Sequence, residues 1–331
     1  MTSEEDLSEW EIARTRKMIS YGCGYLVVNY LLGAYTRLVF YYYEVEVGLP
    51  VLYIGIAFVI YAIWNMFNDP LLGYFTDKPR KWMKKYGLRA PWVVISSFPM
   101  LICYFLIFTP PPIDPKENAL LILLYMVIIT ALFDTFFSIY NTHVYGGFTN
   151  HFRSEYERRK AFAVMMVTMG VGALGIGMIT PWIIKFGERS TFIIAAFIVV
   201  MILAGFNIIL FFGIKESEEM KETLMRGFES SEEIGFFKTM KTALKHKNFA
   251  VSLLGYTMVI TAQTLATASA FYMVKDVYKL PLYYFIIPGL AAFAGFMLAI
   301  PFWYNYARKH GFKRTYYTGL FFAGLCYLPT L

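Results

Sequence analysis

The stretch WNMFNDPLLGYFTDKPRKW, residues 64–82, decides how this chain is read. It starts as a strongly apolar segment, carries a carboxylate (Asp69) directly before Pro70, and ends in a run of cations. An ionisable group at membrane depth is expensive and marks a functional position. A basic run just beyond an apolar span marks its cytoplasmic end.

The rest of the chain fits that beginning. Of its 331 residues, 58% are hydrophobic, 19% aromatic and only 16% charged, against about a quarter charged in soluble domains. A membrane helix needs roughly 20 mostly apolar residues. Such runs recur near 18–43, 51–76, 92–110, 118–146, 162–184, 191–214, 250–274, 282–306 and 315–331. The expected fold is therefore all-α and integral to the membrane, with residues 1–17 a cytoplasmic N-terminus.

Orientation comes from the cations. The connections expected on the N-terminal side hold 24 lysines and arginines, the opposite connections only five: Lys116, Lys185, Arg189, Lys275 and Lys279. The one remaining, Arg37, lies inside the first span. The net charge of +7 thus reflects topology, and no nucleic-acid partner is expected. Cys23, Cys103 and Cys326 all fall in spans, with spacing that suits neither a disulfide scaffold nor zinc. The polar residues 1–17 give no cleavable signal peptide, so the first span would direct insertion. His143, His151, His246 and His310 are scattered near loops and form no catalytic constellation, and no enzyme is expected. His143 reads as a polar residue of the membrane interface.

Six spans precede the polar segment 215–249. Its first part, KESEEMKETLMRGFESSEE, reads as flexible; its second, GFFKTMKTALKHKNF, places Phe236, Phe237, Met240 and Leu244 on one helical face with lysines opposite. That pattern fits a helix lying in the cytoplasmic interface. Six spans, a long polar connection and further spans resemble the layout of the major facilitator fold, which implies that residues 18–214 form one six-helix bundle and 250–331 the first three helices of a second, whose last three would be missing. Alternating access needs two bundles to rock against each other, so nine spans alone are expected not to transport.

The connection GYFTDKPRKWMKKYGLRAPW, with Gly73, Asp77, Lys78 and Arg80, resembles the cytoplasmic loop motif of major facilitator transporters, and YARKHGFKR (306–314) is its weaker echo. The longer string N-D-P-L-x-G, then D-K-x-R, then G-x-R-x-P-W resembles the glycoside–pentoside–hexuronide:cation symporters, the melibiose permease family. YGCG (21–24), YYYEVEVGLP, SEYERRKAF and KHKNF match it too. The resemblance implies a monomeric, multi-pass transporter of the cell membrane. It would move a small organic solute, sugar-like or acidic, coupled to sodium or protons, with no other cofactor. Lysolipid or lipid transport, which some relatives perform, is the alternative, as is a truncated remnant that does not transport.

The polar residues at membrane depth are few. Asn29, Gly33, Thr36 and Arg37 share a face of the first span; Asn65 and Asp69 are one turn apart on the second; Asp134, Thr135, Ser138 and Asn141 follow helical spacing on the fourth. By the resemblance, Asp69 matches the aspartate of the N-D-P element in the coupling-ion site, and Ser138 falls where melibiose permease has an acid. Asp69, Asn65, Asp134, Thr135 and Ser138 are all oxygen donors suited to sodium; a proton on Asp69 or Asp134 would serve the same end. Asn29, Arg37 and Asn141 are the substrate candidates. Asn29 replaces the family's sugar-gripping acid, and Met166 falls near its arginine. Arg37 is an added cation that suits an acidic solute, or alternatively a partner for Asp134. Gly73, Asp77, Lys78 and Arg80 would latch the cytoplasmic gate. The glycines in MGVGALGIGM (169–178) would let helices approach closely.

Single cysteines introduced at Ser230 and Pro112 should label from opposite sides of the membrane. Labelling of Ser230 from outside intact cells would refute the orientation.

Overall fold

The computed structural model describes residues 13–78, 80–229 and 236–327; residues 1–12, Pro79, 230–235 and the end of the ninth expected span lie outside the described residues. The chain builds α1 (Thr15–Tyr41), α2 (Val51–Thr76), the short α3 (Met83–Tyr86), α4 (Ala90–Ile107), α5 (Ala119–His151), α6 (Glu155–Ile183) and α7 (Arg189–Gly213). After these come α8 (Glu218–Glu229), α9 (Phe236–Lys245), α10 (Lys247–Tyr272) and α11 (Ile286–Tyr327).

Among the described residues, six segments are long and apolar enough to cross a membrane: Val51–Thr76, Ala90–Ile107, Ala119–His151, Arg189–Gly213, Lys247–Ala266 and Gly289–Gly311. The long helices α1 and α6 are less uniformly apolar, and they sit where polar stripes are affordable, packed on each other. α1 also packs on α7, α4 on α5 and α7, and α2 on α5, which closes the first bundle. The second half leans on this bundle chiefly through α10 against α1 and α11 against α6.

Local signals set the helix ends. Ser154 caps α6, its Oγ accepting the Glu157 N–H at 3.0 Å, while the Glu157 carboxylate accepts the N–H groups of Arg153 (3.0 Å) and Ala13 (2.7 Å). A capping box of this kind satisfies donors the helix cannot. Pro70 stays inside α2; lacking an N–H, it leaves the carbonyl one turn before it unpaired and bends the helix beside Asp69. Buried tyrosines find acceptors on neighbouring helices, as hydroxyls in an apolar bundle must. Tyr21 donates to Val144 O (2.5 Å), Tyr42 to Phe108 O (2.7 Å) and Tyr140 to Asn207 Oδ1 (2.6 Å).

Several expectations are corrected. The residues from Glu218 that read as flexible form α8, because Met220 and the Lys221 stem bury against the bundle and Lys221 Nζ donates to Lys85 O at 2.9 Å. The fourth and fifth spans extend to His151 and back to Glu155, since their polar ends carry caps and ion pairs rather than loops. The eighth and ninth spans are joined through helical turns across Arg308–Arg314, broken only at Gly311 (φ 77°), the left-handed conformation glycine adopts without strain.

Two of the glycines in the fifth span have a packing reason. A Cβ on Gly172 would lie 1.8 Å from Leu26 Cδ1 of α1, and one on Gly170 would lie 2.4 Å from Met297 Cε of α11. Gly172→Val should therefore lower the melting temperature in detergent, corresponding to about 1–3 kcal/mol of overpacking. An unchanged melting curve would show that α1 and α6 are free to part there.

Candidate functional site

The polar groups of α2 and α5 converge. Asp134 of α5 is 1% exposed, yet its carboxylate is fully held: Oδ1 accepts from Tyr61 Oη (3.0 Å) and Asn65 Nδ2 (2.9 Å), and Oδ2 from Asn68 Nδ2 (3.1 Å). Asp69, on the next turn of α2, is exposed at the bundle face, and its Oδ1 accepts from Ser138 Oγ at 2.5 Å. The two carboxylates are close enough to repel each other, and all their hydrogen-bond partners here are neutral. Of the five expected coupling residues, Asp69, Asn65, Asp134 and Ser138 are brought together. Thr135 is not joined to them by hydrogen bonding, because its hydroxyl bonds Ala131 O in its own helix at 2.8 Å. Such a pair of acids in a cage of oxygen and amide groups can hold a hard monovalent cation or share a proton.

Of the substrate candidates, Asn29 and Arg37 lie exposed on α1, and Asn141 lies on α5. Asn29 donates to Tyr25 O (2.7 Å) and to Tyr145 Oη of α5 (3.0 Å), and Gly33 borders open space. Arg37 is exposed, lies near Tyr30, and makes no ion pair among the described residues. It therefore does not pair with Asp134: the amides of α2 reach that carboxylate first. Asn141 leaves its buried Oδ1 without a hydrogen-bond partner among the described residues.

At the end of the bundle where the latch is expected, its pairing differs from the expected one. Asp77 pairs with Arg89 Nη1 at 3.5 Å, whereas Lys78 sits over the Tyr74 ring (4.6 Å) and Arg80 over Trp92 (5.4 Å). Gly73 supplies only the carbonyl that accepts the Asp77 N–H (3.1 Å). Arg89 also reaches His143 Nδ1 at 3.4 Å. His143 is fully buried and stacks on Trp92, so it is an interior packing residue rather than an interface one. Glu216, just past α7, accepts the backbone N–H groups of Leu88, Arg89 and Ala90 and so caps α4. Its burial pushes its carboxyl above the usual range, against the lowering pull of those donors and of Arg89. Gly87 (φ 89°) is needed on two counts, since a Cβ there would lie 1.7 Å from Glu216 Oε2. Sequence reasoning missed Arg89 and Glu216 as a pair because 127 residues separate them.

At the other end the two halves repeat a turn. α1 runs into the π-helical turn Tyr42–Val47 and α10 into Met273–Val277, and each then reaches Leu-Pro through a left-handed residue, Gly48 (φ 79°) and Lys279 (φ 52°). There Tyr272 donates to Glu44, and Lys275 lies 5.3 Å over the Tyr41 ring.

Two packed groups of apolar helices, a carboxylate pair between two of them and a charged cluster at one end define a multi-pass membrane protein of the transporter class. The profile of the MFS/sugar transport protein family matches residues 19–330, and the chain belongs to that family, whose members are transporters and not enzymes. It is 22% identical over 301 residues to the sodium-dependent lysophosphatidylcholine symporter 1-A of Danio rerio, covering 78% of this chain and 53% of the relative. It is 27% identical over 205 residues to a putative 2,3-dihydroxypropane-1-sulfonate exporter of Escherichia coli (strain K12), covering 61% and 43%. To a putative sulfoquinovose importer of Salmonella typhimurium it is 30% identical over 127 residues, 38% and 26% of the two chains. The chain spans about half the length of the curated relatives it matches.

Glu216→Ala strands the three N–H groups at the start of α4, and should cost about 1–3 kcal/mol of stability. Glu216→Gln keeps an acceptor and should cost less. Equal melting temperatures for the three proteins would remove the cap.

Proposed function

We propose that this chain forms the ion-coupled part of a secondary transporter for a small organic solute bearing an acidic group. The observation that carries this is the Asp69–Asp134 pair: two acids at membrane depth, held by neutral donors, with the more open one on the exposed face. A buried carboxylate kept without a cationic partner is costly, and a bound sodium ion or proton offsets that cost. Asp134 supplies the fixed charge and Asp69 the exchangeable one. Ser138, standing where the family resemblance puts an acid, steers a proton or shares a sodium ion with Asp69. Arg37 supplies the recognition of an anionic group, with Asn29 and Asn141 as hydrogen-bonding partners. The named relatives support this choice, since two carry sulfonates in their names and another a phospholipid. Lacking the acid and the arginine of the sugar grip, this site does not favour an ordinary galactoside.

A cavity of about 760 Å³ favours a second reading, an amphiphilic solute. It is lined by Phe148, Phe162, Met166, Phe296 and Trp303, with Arg158 and Arg159 from the start of α6. An acyl chain fits such a lining.

The test is cation-dependent thermal stability of the purified chain. Sodium chloride, compared with choline chloride, should raise the melting temperature of the parent protein, and Asp69→Asn should abolish the rise while inserting normally. If only pH moves the melting temperature, and Asp69→Asn removes that response, the coupling ion is the proton. No response to either, or loss with Asp134→Asn while Asp69→Asn behaves as the parent, would overturn the assignment of Asp69.

A further inference from the structure

We propose that α9 is a docking surface for anionic lipid headgroups, lying in the cytoplasmic face of the bilayer and fixing the point at which α10 enters it. Two features place α9 at that level. A single residue, His246, separates Lys245 at its end from Lys247 at the start of α10, whose apolar segment Lys247–Ala266 crosses the membrane. At its other end Phe236 packs on Tyr74, near the cytoplasmic end of α2, with ring centroids 5.7 Å apart. The helix is thus pinned at both ends to the boundary where two spans emerge.

The surface of α9 suits that place. At about 100° per residue, Phe236, Phe237, Met240 and Leu244 share one arc, and Lys238, Lys241 and Lys245 gather on the side away from it. Phe237 is 84% exposed, Leu244 51% and Met240 40%. The lysines are exposed as well, and none pairs with a carboxylate among the described residues. No Asp or Glu occurs from 236 to 249, while Lys238, Lys241, Lys245 and Lys247 all do. An apolar arc flanked by uncompensated lysines is the pattern of a helix that sinks its apolar side below the headgroups and pairs its cations with anionic lipid. Lysine stems reach upward from such a position without losing solvation of their heads. The lipid surface is the occupant because the apolar arc adjoins the spans at the bilayer boundary. A soluble protein partner would have to displace lipid from Phe237.

The test uses residues 1–331 with Cys326→Ser, labelled with an environment-sensitive fluorophore at Phe237→Cys or Thr242→Cys; Cys23 and Cys103 are buried. In phosphatidylcholine nanodiscs, brominated lipid should quench the label at 237 several-fold more than at 242. Adding phosphatidylglycerol should deepen the quenching at 237. Lys238→Gln/Lys241→Gln/Lys245→Gln should lose that response, and the matching triple arginine variant should keep it, which separates charge from misfolding. Equal quenching at 237 and 242 would overturn the membrane placement. A 237 label shielded from both lipid and a water-soluble quencher would overturn it in favour of a protein partner. Quenching that ignores phosphatidylglycerol, or survives in the glutamine variant, would overturn the anionic-lipid assignment.

Discussion

Everything at the centre of this bundle depends on keeping the Asp134 carboxylate where water does not reach. Tyr61, Asn65 and Asn68 of α2 spend their donors on it. Those bonds fix how α2 sits against α5, because the donors lie on successive turns of one helix face and the acceptor is a single group. A hydrogen bond to an ionised group is about twice as strong as a neutral one, so the contact sets register as well as charge. Asp69 is the beneficiary. Beside Pro70 on α2, it meets Ser138 across the helix contact and shares Asn65 with Asp134. The result is one carboxylate committed to helix packing and a neighbour at the exposed face of α2.

Around this centre the fold divides its polar work by depth. Tyrosine hydroxyls and helix carbonyls settle the interior, while charged groups gather at one end, where Asp77, Arg89 and Glu216 link α2, α4 and the exit of α7. On the opposite side an acid of the π-helical turn after α1 and a tyrosine from α10 join the two halves. The π-helical turns behind them sit at matching positions in the two halves. Each brings its chain to Leu-Pro through one residue of positive φ, a glycine in the first half and a lysine in the second.

Much of this was legible in the residues. The helix class and the apolar spans follow from hydropathy, and a lone acid before proline draws attention to Asp69. The convergence of Asn65, Asp134 and Ser138 follows from helical spacing. The partners did not: Asp134 was as well suited to Arg37 as to the α2 amides until the helices were placed. Likewise, Lys78 and Arg80 lay closer in sequence to Asp77 than Arg89 does, yet aromatic rings hold them away. His143 looked like an interface residue because it lies near a span end. Its burial depends on Trp92 of another helix, which periodicity within α5 does not reveal.

The cap that Glu216 places on α4 has a mechanical meaning. The chain leaves α7 and is at once stapled to the third crossing of its own bundle, so tension arriving from α10 cannot peel α7 away from its neighbours. Between that staple and Lys247 lie α8, itself held to the bundle by Lys221, and α9. Glu216 works as strain relief does on a cable. It sits where the chain leaves the first bundle, and it holds that exit to the start of α4.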